Sequence, residues 1–520
     1  MTDSRTAQLG WAHRSGQTWA WLLVFLVTGT VLRLHMLGAK SLWGDEAFSV
    51  TVARMPFPEF VRTAWWGEAN MTLYYLFLRV WVHLGETEFW LRSLSALLGV
   101  LTIAAVYLLG ARFLSSKAGL VAGALLAVHA YHIRYSQELR SYTLVALLLI
   151  LSTYAFLAAL ETPDRKVWWA AYGLLSALAI YAQVFAVFVL CSQWLVLTPG
   201  RIKRLGIVRL FTVGVAMGIL AAPMAAVMVL QNKGQLDWVP RLNPVRILDV
   251  FQYMAGTEPL GTHKLARGLL LILYAATWIF SLVALFRPAP NQTEGNANKV
   301  PLQVLVLWFA FPIAAMMGLS FLKPILVPRY LLMCAPAAVL LAAQGLIILE
   351  RRLPGGRFVS SAILVAMLGL AFISIRDYYA TFTTYGHNWR AVTNLVLSQQ
   401  ELGDAAIFYT FSGHRVFDYY VGRERETNRQ ETTPDVLFPL ALERANIENR
   451  AERHHRVWLI LHQTIPTAET NKQTALIRSA LQDHFRLAKE IEFPGAGATR
   501  DETGRILVAL YISALADSNP

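Results

Sequence analysis

Residues 71–85 read MTLYYLFLRVWVHLG, and whether this apolar stretch crosses a bilayer or lies along its surface decides the fold. A spanning helix needs ~20 apolar residues, and this run is shorter and is interrupted by Arg79 and His83. An interfacial helix tolerates both features. Charge provides the test. With 71–85 on the surface, the spans fall near 19–37, 90–111, 118–135, 140–160, 167–182, 184–198, 206–230, 266–286, 300–320, 326–348 and 357–375. The inner loops then hold Arg112/Lys117, Arg165/Lys166, Arg201/Lys203/Arg204, Arg287/Lys299 and Arg351/Arg352/Arg357. Every one is basic, as the positive-inside rule requires, and Arg5, His13 and Arg14 precede the first span. Counting 71–85 as a span inverts several of these loops. The expectation is a polytopic α-helical membrane protein of about eleven spans with its C-terminus outside.

Composition agrees. The 520 residues are 56% hydrophobic and 15% charged, with mean hydropathy +0.44, which excludes a protein soluble throughout. The net charge of +13 sits mainly in the short loops, so it marks topology and membrane lipids rather than a nucleic-acid partner. No small-residue cleavage site follows the first apolar run, which is expected to stay as an uncleaved signal anchor. Cys191 and Cys334 lie in apolar runs and make neither a disulfide framework nor a metal motif. From Arg376 onward charges become frequent. Residues 391–400 read as a helix, and AAIFYTF, RVWLILH, RLAKEIEF and RILVALYI as strands, the last two joined by a Pro-Gly-rich turn. The chain therefore divides into a membrane domain, 1–375, and a small outer α/β domain, 376–520. NQTEGNANK, on the inner side, resembles a flexible linker.

Three polar constellations fall at the outer boundary. Asp45 and Glu46 stand in SLWGDEAFSV, in the first outer loop (about 38–89) that also carries Glu68 and Asn70. An acid beside a low-dielectric surface needs a reason, and it can accept a proton from an acceptor hydroxyl within hydrogen-bond reach. YSQELRSYTL puts Glu138, Arg140 and Tyr142 in a short connection expected at the same depth; a Glu138–Arg140 pair is the plainer alternative. KPILVPRYLL puts Lys323, Arg329 and Tyr330 at the start of a late span. There a guanidinium suits a phosphate, with interfacial snorkelling as the alternative. Neither a P-loop nor a dinucleotide fingerprint occurs.

Taken in order, these stretches resemble the GT-C-fold glycosyltransferases, specifically the family 39 protein mannosyltransferases and their bacterial aminoarabinose-transferase relatives. WGDEAFS is similar to the family's first-loop acidic motif, and residues 70–113 to its surface helix and second span. YSQELRSYTL, KPILVPRYLL and Trp389-Arg390 of HNWRAV match further stretches. The resemblance implies Asp45 as catalytic base, Glu46 as its neighbour, and Arg140 and Arg329 as candidates for a lipid phosphate. Two departures stand out: Met71-Thr72 replaces a frequent Pro-Pro pair, and Gln183 stands where many relatives have His. The implied reaction is inverting transfer of a sugar from a polyprenyl-phosphate donor to an acceptor hydroxyl of a protein, lipid or glycan, at the outer face of the cytoplasmic membrane. No cofactor is required. A divalent metal at Asp45 and Glu46 is conceivable, but the spacing does not demand it. The alternatives are a non-catalytic transporter of lipid-linked saccharide, expected to show internal repeats, or an oligosaccharide ligase.

Overall fold

The structure is a computed structural model that describes residues 16–66, 69–230, 239–258, 261–286, 299–380, 388–409, 412–428, 434–437, 444–462, 468–494 and 505–513. Glu68, most of the linker-like NQTEGNANK and the glycines of the Pro-Gly-rich turn lie outside the described residues. The chain forms two compact units. The first comprises Met1–Leu37, Pro56–Gly85 and Trp90–Tyr378; the second comprises Gly38–Met55, Glu86–Phe89 and Tyr379–Pro520.

Along the chain, α1 (Gly16–Leu34), α2 (Gly44–Arg54) and α3 (Phe57–Trp66) lead to a 3-10 turn (Ala69–Met71) and α4 (Thr72–Val82). Next come α5 (Glu88–Phe113), α6 (Ser116–Ala127), α7 (Ala130–Ser136), α8 (Tyr142–Glu161) and α9 (Lys166–Ala182). They are followed by α10 (Ala186–Trp194), α11 (Pro199–Leu205), α12 (Ile207–Leu230) and α13 (Pro244–Met254). The helical series ends with α14 (Lys264–Phe286), α15 (Val300–Leu319), a 3-10 segment (Pro328–Cys334), α16 (Ala335–Arg352) and α17 (Gly356–Ala380).

Each of the expected spans coincides with helix. Among the described residues eight are long and apolar enough to cross a membrane: α1, α5, α8, α12, α14, α15, the joined 3-10 and α16 segment, and α17. The protein is a multi-pass membrane protein. The other three expected spans are shorter. The span at 167–182 is α9, of 17 residues, and that at 184–198 contains α10, of 9 residues. The span at 118–135 is broken between α6 and α7, and polar side chains explain the break. The His129 imidazole caps α7 by accepting the His132 backbone N–H at 3.2 Å. From α1, the fully buried Arg33 guanidinium donates to the last carbonyls of α6, Ala127 and Leu126, at 3.2 Å each. Helix ends away from water need such partners. The stretch that decided the fold, α4, has 11 residues; it buries Tyr74, Tyr75 and Leu78 and exposes Leu76, Phe77 and Val80.

The second unit continues with α18 (Trp389–Gln399), β1 (Ala405–Tyr409), α19 (Ser412–Asn428), β2 (Asp435–Leu437), α20 (Arg444–Ala451) and β3 (Arg456–His462). It ends with α21 (Ala468–Gln482), β4 (Phe485–Phe493) and β5 (Ile506–Ser513). The sheet order is β2-β1-β3-β5-β4, with β1 parallel to β2 and β3, and β5 antiparallel to β3 and β4. The central β3, RVWLILH, is buried over six consecutive residues, the pattern of a strand covered on both faces. Edge strand β4 is largely exposed and charged, which discourages pairing with other chains. Its core includes Ile407, Leu459, Ile477, Leu481 and Tyr511. Cys191, at an exposed position, and buried Cys334 are both free.

Small residues let helices approach closely in the first unit. A Cβ on Gly119 of α6 would lie 2.6 Å from the Tyr107 carbonyl and 2.7 Å from the Ala111 nitrogen of α5, both backbone atoms. Glycine lets the two backbones meet. Gly119→Val should therefore destabilise the protein by about 1–3 kcal/mol. Thermal unfolding of the detergent-solubilised protein checks this, and an unshifted midpoint would contradict it.

Candidate functional site

The first unit gathers a polar group around the start of α8. The Tyr142 hydroxyl, on the first residue of α8, is buried and has no hydrogen-bond partner among the described residues. The charges of Arg329, Arg140 and Glu138 and the phenol of Tyr330 lie within electrostatic reach of it. Glu138 is 5% exposed. Five expected residues from two distant stretches thus meet. The Arg140 carbonyl is fixed by the Ser95 hydroxyl at 3.2 Å, which the Tyr74 hydroxyl of α4 meets at 2.8 Å. Helix α4 therefore braces this connection.

Asn70 and Gln183 join the same neighbourhood through the chain between α9 and α10. The Asn70 carboxamide oxygen accepts the Val184 N–H at 2.9 Å. The Phe185 ring lies 5.0 Å from that of Tyr330. Gln183, next in the chain to Val184, is 2% exposed, and its side-chain oxygen has no partner among the described residues. An unsatisfied buried acceptor costs free energy, so a ligand hydroxyl or amine would be welcomed there. Lys323 is exposed, in the turn before the 3-10 segment that carries Arg329 and Tyr330.

Several residues of this region were not singled out from sequence. Arg134 of α7 and Glu258 form a fork-like ion pair, 3.0 and 3.2 Å, at 4% and 0% exposure. Arg267 of α14 donates to the Glu258 carbonyl at 3.3 Å. Around them Tyr131, Tyr135, Tyr142 and Tyr253 form a chain of ring contacts, with centroids 4.4 Å (Tyr131–Tyr253), 5.0 Å (Tyr131–Tyr135) and 5.1 Å (Tyr135–Tyr142) apart. The Tyr131 hydroxyl donates to the Pro328 carbonyl, tying α7 to the 3-10 segment. The sequence signal that could have found this pair is Arg134 itself, a charged residue inside a largely apolar stretch.

The second unit holds the acidic pair. Asp45 and Glu46 occupy the first turn of α2, where unpaired backbone N–H groups and the helix dipole favour carboxylates. Their environments differ. Glu46 is fully buried and accepts the Trp43 N–H at 3.3 Å, closing the helix start; Asp45 is half-buried. The Asp45 carbonyl accepts the Ser49 hydroxyl at 2.8 Å. Among the described residues no group of three His, Cys, Asp or Glu side chains is placed to hold a metal ion.

Comparisons with known proteins converge on one class. Residues 72–228 match the family described as dolichyl-phosphate-mannose-protein mannosyltransferase. No curated protein matches the chain in sequence. Among solved structures, ArnT from Cupriavidus metallidurans in the apo state is similar at TM-score 0.59 and 14% identity, over 95% of this chain and 98% of that one. The same protein bound to undecaprenyl phosphate gives TM-score 0.57 and 13% identity, over 95% and 99%. The oligosaccharyltransferase AglB from Archaeoglobus fulgidus, in complex with an inhibitory peptide and a dolichol-phosphate, gives 0.56 and 10%, over 91% and 73%. The chain thus has the GT-C glycosyltransferase fold that its ordered motifs imply.

The buried ion pair gives a stability test. Glu258→Leu alone strands the Arg134 guanidinium and should cost about 3–5 kcal/mol, whereas Arg134→Met with Glu258→Leu should recover most of the loss. Thermal unfolding of both variants distinguishes the pair as charge-balanced packing from a pair whose charge itself is required for folding.

Proposed function

We propose that this protein is an inverting glycosyltransferase that moves one sugar from a polyprenyl phosphate to an acceptor hydroxyl at the outer face of the cytoplasmic membrane. The observation that carries the reading is the polar group at the start of α8. Two arginines there lie within reach of a buried tyrosine hydroxyl with no partner among the described residues, in a bundle of membrane-spanning helices. A phosphate flanked by hydroxyls is the chemistry such a group recognises. The fold likeness to a protein bound to undecaprenyl phosphate, and to one in complex with dolichol-phosphate, supports a lipid-linked donor.

In this reading Asp45 takes the proton of the acceptor hydroxyl as that oxygen attacks the anomeric carbon. The bond from that carbon to the phosphate oxygen breaks on the opposite face, and the electron pair leaves with the polyprenyl phosphate. Arg140 and Arg329 stabilise the charge that collects on the departing phosphate. A single displacement inverts the anomeric centre. Glu46 shapes the helix start, and no cofactor is needed. Glu68, Asn70, Glu138, Tyr142, Gln183, Lys323 and Tyr330 serve in binding the substrates. The acceptor is a protein, lipid or glycan hydroxyl, and the C-terminal α/β domain lies on the outer side by the charge of the inner loops.

The test uses the full chain reconstituted in vesicles with undecaprenyl-phosphate mannose and an undecaprenyl-phosphate 4-aminopentose, read by release of undecaprenyl phosphate. Asp45→Asn should lower the rate by at least about 10²-fold, the usual weight of a general base, with the protein still folded. Arg140→Ala and Arg329→Ala should raise the donor KM. Release by Asp45→Asn at the wild-type rate would overturn the assignment.

A further inference from the structure

The second unit joins the loop bearing the acidic pair to the C-terminal helices, and one carboxylate sits at the junction. Glu88, 4% exposed, accepts Arg390 of α18 on Oε1 at 2.5 Å and Arg423 of α19 on Oε2 at 2.5 Å. The Tyr420 hydroxyl, also from α19, donates to Oε1 at 3.0 Å. That hydroxyl accepts the buried Leu42 N–H at 2.9 Å, three residues before Asp45. Arg390 adds two more ties to the same loop: its backbone N–H to the Ser41 hydroxyl at 3.1 Å, and its guanidinium to the Gly38 carbonyl at 3.3 Å.

The far end of α2 is held as well. Arg54, its last residue, pairs with Glu86 at 2.5 Å and lies over the Tyr419 ring, 5.6 Å from its centroid. The Tyr419 hydroxyl donates to the Glu86 carbonyl at 2.7 Å, and burial pushes its pKa up to about 12, so it stays a donor at any physiological pH. In mid-helix the Arg415 guanidinium covers the Phe48 ring at 4.6 Å. Helix α2 is therefore tied before its start, along its side and at its end by residues at least 32 and as many as 378 positions away.

We propose that Glu88, with Arg390, Arg423 and Tyr420, forms a clamp that positions Asp45, so that the C-terminal domain is a structural part of the catalytic apparatus. The proposal rests on the reading of Asp45 as the base. Through Tyr420 the carboxylate restrains the Leu42 amide, which sets where the first turn of α2 begins. A misplacement of ~1 Å in a reacting group can cost ~10²-fold in rate, so a loosened loop should lower turnover without weakening donor binding. Glu88 is a positioning residue, because its contacts run to protein groups on both of its oxygens.

Tyr420→Phe is the mildest probe, since it removes one hydroxyl from a buried ring. In the reconstituted full chain it should speed amide exchange at Leu42 and the first turn of α2 about tenfold, the weight of one ordinary hydrogen bond. It should lower kcat with undecaprenyl-phosphate mannose or 4-aminopentose about tenfold, leaving the donor KM within about twofold. Glu88→Gln should act in the same direction and more strongly, and Glu88→Asp should recover part of the loss. Asp45→Asn serves as reference: it should lower release by at least about 10²-fold with wild-type exchange over 38–50. Wild-type exchange in both Tyr420→Phe and Glu88→Gln overturns the clamp whatever the activity. Faster exchange with unchanged kcat overturns its role in positioning. Release by Asp45→Asn at the wild-type rate overturns the base assignment while exchange still decides the clamp.

Discussion

Inside a bilayer the last carbonyls of a helix have no water to turn to, and the guanidinium of Arg33 answers that need for α6. It reaches from α1 to the Leu126 and Ala127 carbonyls and to the His132 imidazole, at 3.0–3.2 Å. The break it stabilises lets α7 start afresh under the His129 cap. From that restart follow the positions of Tyr131, Arg134 and Tyr135, and then of the short connection carrying Glu138 and Arg140. The same region is stitched from the other side. The Gln137 side chain donates to the Arg33 and His35 carbonyls and accepts the Tyr378 hydroxyl at 2.8 Å.

The first unit treats its charges in two ways. Arg134 and Glu258 neutralise each other over two short contacts with almost no exposure, an arrangement suited to packing. Arg140 and Arg329 instead lie within reach of hydroxyl groups, including one with no partner among the described residues. Two guanidinium groups outnumber the one carboxylate, Glu138, within reach of the same hydroxyl, and an anionic ligand complements that balance. This contrast is why the functional reading rests on Arg140 and Arg329 and leaves Arg134 to the architecture. The two kinds of arginine stand only six positions apart in the sequence.

Much of this was legible in advance, for physical reasons. Apolar length and basic loops are local properties, so every expected span met helix, and 71–85 stayed too short to cross. The break at His129 was not legible, because apolar composition runs straight through it and its stabiliser lies 94 residues upstream in Arg33. The strands of the α/β domain were read from their apolar runs. By contrast β2, with three residues, and α19, rich in charge, gave no such pattern. The grouping of residues 38–55 with the C-terminal domain was equally out of reach. It depends on pairings such as Leu42 with Tyr420, and a hydrogen bond 378 positions long leaves no periodic trace in one sequence. The WR pair of HNWRAV stands out as a motif, yet nothing local in the sequence links Arg390 to Glu88, 302 positions away.

The two adjacent acids separate on similar grounds. Both sit in the first turn of α2, where the helix dipole favours ionised carboxylates. Glu46 is fully buried, and one of its oxygens is committed to the Trp43 N–H; moving it to meet a substrate would open the helix start. Asp45, one residue earlier and half-buried, points from a different side of the same turn, since successive helical residues are about 100° apart. A shorter side chain at the start of a helix tied through Leu42 to Tyr420, and at its far end through Arg54 to Glu86, has few rotamers and a fixed origin. Partial access and a restrained backbone are what the proposed role of proton acceptor requires. The longer acid closes the helix start from which the shorter one projects.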